Sequence, residues 1–208
     1  MSERLETIWT AGRRRLGRDP VFGPWVKQAG SIRVPVHDEP PFFYLARAIV
    51  FQQLAGAAAR TIHGRFVAAL GGEVSPAKVL RVRAPTLRKA GLSAAKLAAI
   101  RDLAVKVQSG EVEVHDLEEQ SDEEVIRRLT VVRGIGPWSA HMYLMFRLHR
   151  PDVWPVGDLG VRSGFAKVHR MADPPTQKEL EPLGDTYRPW RSAAAWYCWR
   201  ALEAERKK

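Results

Sequence analysis

In the stretch VVRGIGPWSAHMYLMF, residues 131 to 146, two glycines stand one residue apart, Gly134 and Gly136, with Pro137 directly behind them and an apolar run beyond. Glycine makes a tight turn at low cost, and proline fits the first turn of a helix, so this spacing predicts a helix, a turn and a second helix in quick succession. The second helix then points bare backbone N–H groups outward. Its positive end and the absence of side chains at 134 and 136 suit a phosphate, bound without reading base sequence. The candidate phosphate contacts are Arg133, Gly134, Ile135, Gly136 and Ser139. A purely structural turn with packing glycines would produce the same pattern. Further along, WPVGDLGVR carries Asp158, 22 residues past Gly136. On its own, that aspartate is either the N-cap of a helix running through Val161 and Phe165 or a carboxylate available for chemistry.

Composition limits what such residues could be doing. Lys and Arg outnumber Asp and Glu by ten in 208 residues. That surplus points to a polyanion, nucleic acid before membrane, because no basic amphipathic anchor or lipidation motif stands out. The N-terminal MSERLETIWTAGRRR lacks a signal-like apolar core and no apolar run approaches a membrane span, so a cytoplasmic, nucleoid-associated protein is expected. Cys198 is the only cysteine, which excludes a four-cysteine iron–sulfur cluster and cysteine zinc sites. The six histidines are scattered and HExxH is absent, leaving no sequence case for a catalytic metal. The basic cluster RRRLGR, residues 13 to 18, reads as a solvated face.

The elements that must hold these residues read as helices throughout. Apolar residues recur with helical spacing at Leu45, Ile49, Gln52 and Gly56, at Leu97, Ile100, Leu103, Ala104 and Val107, and at Val125, Ile126 and Leu129. Ser93 opens SAAKLAAIRDLAVKV, and SDEEV offers an N-cap with acids in the first turn. Proline-rich breaks fall at 34–41, 150–158 and 172–176. They delimit a central lobe of about 41–150, containing the hairpin at 129–140, and a second lobe from about 1–40 plus 151–208.

Four blocks, ARAIVFQQLAGAAA, GLSAAKLAAIRDLA, VRGIGPWSAHMY with VGDLGVR, and YRPWRSAAAWYCW, resemble in this order the helix-hairpin-helix DNA glycosylase superfamily typified by endonuclease III. Within it the chain is most similar to the 3-methyladenine DNA glycosylase II (AlkA-like) branch, over about residues 41 to 200. The resemblance implies an all-α fold of two helical lobes around a cleft, with no N-terminal β domain. It also implies hydrolysis of the N-glycosidic bond of alkylated bases such as 3-methyladenine and 7-methylguanine in double-stranded DNA, the first step of base excision repair.

Residue by residue, the resemblance makes Asp158 the catalytic carboxylate that stabilises an oxocarbenium-like sugar. Trp138, Trp199 and Met142 match the base pocket, whose electron-rich rings hold a cationic base. Gln53, with Leu54 beside it, matches the wedge that fills the gap left by an extruded nucleotide. Arg162, one turn past Asp158, joins the hairpin residues as a phosphate contact. Members that also cut the strand place a Lys where this chain has Trp138, so a monofunctional enzyme is implied. Gly157 precedes Asp158 where some relatives carry a second acid. No cofactor is expected beyond a Na+ or K+ held by the backbone carbonyls of Thr130, Val132 and Gly134, and a monomer suffices. Two other readings remain: a non-catalytic binder of damaged DNA, and a glycosylase for mismatched or oxidised bases.

Overall fold

The computed structural model describes residues 2–204, with side chains from residue 8 onward. Twelve α-helices and one 3-10 turn account for the regular structure, and no strand occurs among the described residues. In chain order the helices are α1 Ser2–Gly17, α2 Gly23–Ala29, α3 Pro41–Phe51, α4 Gly56–Ala69, α5 Pro76–Arg81, α6 Ala84–Lys89, α7 Ala94–Gln108, α8 Asp122–Thr130, α9 Pro137–Phe146, α10 Leu159–His169, α11 Gln177–Leu183 and α12 Arg191–Glu203. By packing they form two compact units, His37–Tyr143 on the one hand and, on the other, the chain up to Val36 together with the chain from Leu144 onward.

Several helix starts follow from single side chains. Ser93 accepts the amide of Lys96 and opens α7, while Ser121 accepts that of Glu124 and opens α8. The first turn of α8 carries Asp122, Glu123 and Glu124, which complement the positive helix end, and Arg127 and Arg128 close it. One expected run is broken. The helical spacing from Leu45 to Gly56 suggested a continuous helix, but α3 stops at Phe51 and α4 starts at Gly56, because Gln53 takes a left-handed φ of 53° that no helix can contain.

In the unit 37–143, Leu45, Ile49, Phe66, Leu87, Ile100, Leu103, Val125 and Leu129 are buried from α3, α4, α6, α7 and α8. In the other unit, α10 and α12 pack so closely that a Cβ on Gly164 would run into the Cys198 carbonyl. Beside them Phe22, Phe165, His169 and Tyr187 form an aromatic cluster, with Phe165 and His169 stacked at 4.0 Å. Arg191 anchors the start of α12 on Asp152 through a 2.7 Å ion pair.

Candidate functional site

The hairpin lies between α8 and α9. Gly134 has φ +79°, a conformation a side-chain-bearing residue enters only at a cost of about 1–2 kcal/mol, and its missing Cβ lets Ala99 approach. Gly136 is different. Its φ is ordinary and a Cβ there would meet nothing within 4 Å, so glycine at 136 bares the backbone without being required by the turn. Pro137 begins α9, whose first turn contains no acidic residue, unlike that of α8. The dipole of α9 is therefore left uncomplemented by its own side chains at the end that faces the turn.

The amides of the hairpin divide into two sets. The Arg133 amide donates to Asp102 Oδ2 at 2.8 Å, and the Ile135 amide to the Val132 carbonyl at 3.0 Å, so both are spent on holding the turn. Ile135 itself is buried at 5% exposure, so its part is to anchor the turn from inside. Gly134, Gly136 and the Arg133 side chain are exposed. Ser139 Oγ accepts from Gln52 Nε2 at 3.2 Å, and the same nitrogen donates to the Gly134 carbonyl at 3.0 Å.

The carbonyls expected to hold a monovalent cation suit a hard ion by donor type. Val132 already receives the Ile135 amide and Gly134 receives Gln52, which leaves one lone pair on each for an ion. Among the described residues no group of three or more His, Cys, Asp or Glu could hold a metal ion.

Within the same unit, an apolar cavity of about 240 Å³ is lined by Tyr44, Leu45, Phe51, Ile135, Trp138, Met142 and Tyr143, with Gln52, Gln53 and Ser139 as polar members. No charged side chain lines it. Trp138 is 45% exposed, unusual for so large a ring. Trp138 and Met142 are thus brought together, and Tyr44 and Tyr143, edge-on at 5.6 Å, join them in the lining without any sequence signal that singles them out. The two wedge candidates occupy the turn between α3 and α4, with Gln53 exposed and Leu54 38% exposed.

Asp158 is the N-cap of α10, and the two readings of its sequence position are compatible. Its Oδ1 accepts from the Val161 amide at 2.7 Å and from Trp199 Nε1 at 3.0 Å. Trp199, on α12, has its ring 5.8 Å from that of Phe146 and meets Asp158 through its polar edge. Gly160 makes this possible, since a Cβ there would stand 2.9 Å from Asp158 Oδ1 and 3.0 Å from Trp199 Nε1. Cys198, fully buried next in sequence to Trp199, has its thiol pushed up by burial and then by the Asp158 charge. Arg162 is turned toward the protein: it donates to the Pro175 carbonyl at 3.3 Å, and its Nε is buried, so it fastens α10 to the 172–176 loop. Arg13, Arg14, Arg15 and Arg18 are all exposed.

Residues 46–188 match the family described as HhH-GPD superfamily base excision DNA repair protein. A DNA-3-methyladenine glycosylase 1 of Schizosaccharomyces pombe is 34% identical over 189 residues, covering 88% of this chain and 83% of that protein. Among solved structures, a Schizosaccharomyces pombe 3-methyladenine DNA glycosylase in complex with abasic DNA superposes with a TM-score of 0.78 at 32% identity, covering 95% of both chains. A DNA-3-methyladenine glycosidase of Bacillus halodurans gives 0.82 at 33% identity, covering 93% of this chain and 89% of that one.

Proposed function

Because the chain belongs to the HhH-GPD superfamily of base excision DNA repair proteins, we propose that it is a DNA glycosylase that releases 3-methyladenine and related N-alkylated bases from duplex DNA by hydrolysis. The observation that carries this reading is Asp158, a carboxylate fixed by two donors on one oxygen.

An N-alkylated purine carries a positive charge, so when the glycosidic bond breaks the electron pair leaves with the base and neutralises it. The sugar is left as an oxocarbenium-like cation. A carboxylate about 4 Å away, at an effective dielectric near 20, stabilises that charge by about 4 kcal/mol, on the order of a thousandfold in rate. Water, oriented by Asp158, then adds at the anomeric carbon and gives up its proton to the surrounding solvent. The cavity with Trp138 and Met142 receives the base: its aromatic lining favours a cation over a neutral, undamaged base, worth about 0.5–2 kcal/mol. Gln53 and Leu54 fill the space vacated in the stack, and the backbone at Gly134 and Gly136, with the Arg133 side chain and the start of α9, takes a phosphate. A Na+ or K+ on the carbonyls of Thr130, Val132 and Gly134 would add positive charge beside it.

No amine stands at Trp138, so the enzyme is monofunctional and leaves an abasic site. The test is mass spectrometry of bases released from methylated duplex. Wild type should liberate 3-methyladenine, and Asp158→Asn should still bind DNA while releasing about a thousandfold less. Equal release by the two proteins rules out the role of Asp158. A borohydride-trapped covalent adduct with DNA rules out the monofunctional mechanism.

A further inference from the structure

The turn that carries Gln53 and Leu54 is held from two sides, by Lys96 and by the side chain of Gln52. Helix α3 ends at Phe51, so its last carbonyls lack in-helix donors. Lys96, on α7, supplies them: its Nζ donates to the Val50 carbonyl at 2.7 Å and to the Gln52 carbonyl at 2.8 Å. An ammonium at a helix C-terminus also meets the negative end of the dipole. That fixes the backbone on the near side of the turn. The next residue, Gln53, sits at φ 53°, which costs about 1 kcal/mol or more for a non-glycine and persists only where the surroundings enforce it.

The side chain of Gln52 provides the second hold. Its carboxamide nitrogen donates to the Gly134 carbonyl at 3.0 Å and to Ser139 Oγ at 3.2 Å. One acceptor is the left-handed glycine of the hairpin and the other lies in the first turn of α9. The amide orientation is determined by chemistry, because the opposite flip would set the Gln52 oxygen against the Gly134 carbonyl. A single side chain thus spans from the turn bearing the wedge residues to the hairpin.

We propose that Gln52 is a positioning residue that fixes the distance between the base-replacing turn and the phosphate-holding hairpin, so that the wedge enters the stack in register with the gripped phosphate. This inference rests on the glycosylase reading above. Extrusion of a nucleotide needs the strand held at one point while the stack is filled at another, and both must belong to one rigid body for the wedge to find the gap. Lys96 sets the orientation of the turn, and Gln52 sets its separation from the hairpin. Neither touches the reacting atoms.

The experiment uses the full chain and a duplex with one N-methylated purine beside a 2-aminopurine, whose fluorescence rises on unstacking. Gln52→Met keeps nearly the same volume and removes the donor. It should lower the single-turnover excision rate and the fluorescence rise together by about tenfold, the size of one well-formed hydrogen bond. Its affinity for undamaged duplex should fall much less than extrusion does, and its melting temperature by only a few degrees, the cost of one partly exposed hydrogen bond. Gln52→Glu, which turns an acceptor toward the Gly134 carbonyl, should be worse in both readouts, and it tests the same point if the methionine variant folds poorly. Wild-type extrusion and excision by Gln52→Met overturn the inference alone. So does a loss of affinity for undamaged duplex in the same proportion as extrusion, since Gln52 would then serve only phosphate binding. Failure of wild type to release any methylated base overturns the glycosylase reading, and the inference falls with it.

Discussion

The two units build their functional features by opposite means. In 37–143 the feature is made of backbone: a glycine at positive φ, a bare glycine after it, and a helix start left without acidic side chains. In the other unit it is one side chain, Asp158, pinned by an amide and an indole in a space that Gly160 keeps open. Charge is shared unequally as well. Up to Val36 and from Leu144 onward the sequence has 19 basic residues against 11 acidic, whereas His37–Tyr143 has 14 against 12. The proposed grip is made of backbone and would bind any phosphate, with Asp102 engaged by the Arg133 amide. In the proposed mechanism the Asp158 carboxylate acts through its orientation, which the Val161 amide and the Trp199 indole fix.

The sharpest way to break this contrast is at the closest helix contact. Gly164→Ala pushes a methyl into the Cys198 carbonyl, so α10 and α12 must separate. Overpacking of this kind should cost about 3 kcal/mol in denaturant unfolding, and excision should fall with it. Gly136→Ala, whose Cβ meets nothing, should leave unfolding unchanged and weaken only DNA binding. Equal effects of the two substitutions on unfolding would dissolve the distinction.

A smaller effect separates orientation from packing. Trp199→Phe retains a ring but loses the donor to Asp158 Oδ1, and should lower kcat by about tenfold with KM for methylated duplex unchanged. Gly160→Ala should do the same by displacing the indole while Trp199 remains. If Trp199 acted only as a wall of the base pocket, both substitutions would raise KM and leave kcat at its wild-type value.

These contrasts also explain what could be read in advance. The caps at Ser93 and Ser121, the glycine turn and the start of α9 at Pro137 depend on residues within four positions of each other, and local chemistry sufficed to find them. Asp158 was legible as a cap for the same reason. The indole that holds it lies 41 positions away, and nothing local marks Trp199 as a donor rather than a stacking ring. Gln52 was hidden for another reason. Its place in an apparent helical spacing concealed the break at Gln53, and its partner Gly134 is 82 positions distant. Arg162 is expected to contact phosphate from its place one turn past Asp158, and its hydrogen bond to the Pro175 carbonyl, 13 positions on, was not legible locally.

On the hairpin side, Gly134→Ala should weaken binding to undamaged duplex by about tenfold, since the strained φ and the Ala99 contact both oppose the turn. The weakening should persist as salt is raised, because the slope of affinity against salt reports the number of phosphates neutralised and not the backbone strain. A slope that flattens in the variant would mean that the glycine acts through an additional charge.

The smallest effect concerns the helix that leads into the hairpin. Hydrogen bonds from Arg127 and then Arg128 hold the Glu124 carboxyl at about 2, below its ordinary value of 4.5. A carboxylate depressed in the folded state contributes stability above its unfolded pKa and loses that contribution as pH falls through the folded one. Glu124→Gln should therefore be less resistant to denaturant than wild type at pH 6, and the gap should close progressively from about pH 4.5 down to about pH 2. The gap itself should be small, because the three side chains form a partly exposed cluster at the surface. DNA binding at neutral pH should be nearly untouched, for the grip is made of backbone at Gly134 and Gly136 that Glu124 does not support directly. A gap that widens on acidification would mean that Glu124 is protonated in the native protein, and the paired arginines would then need another explanation.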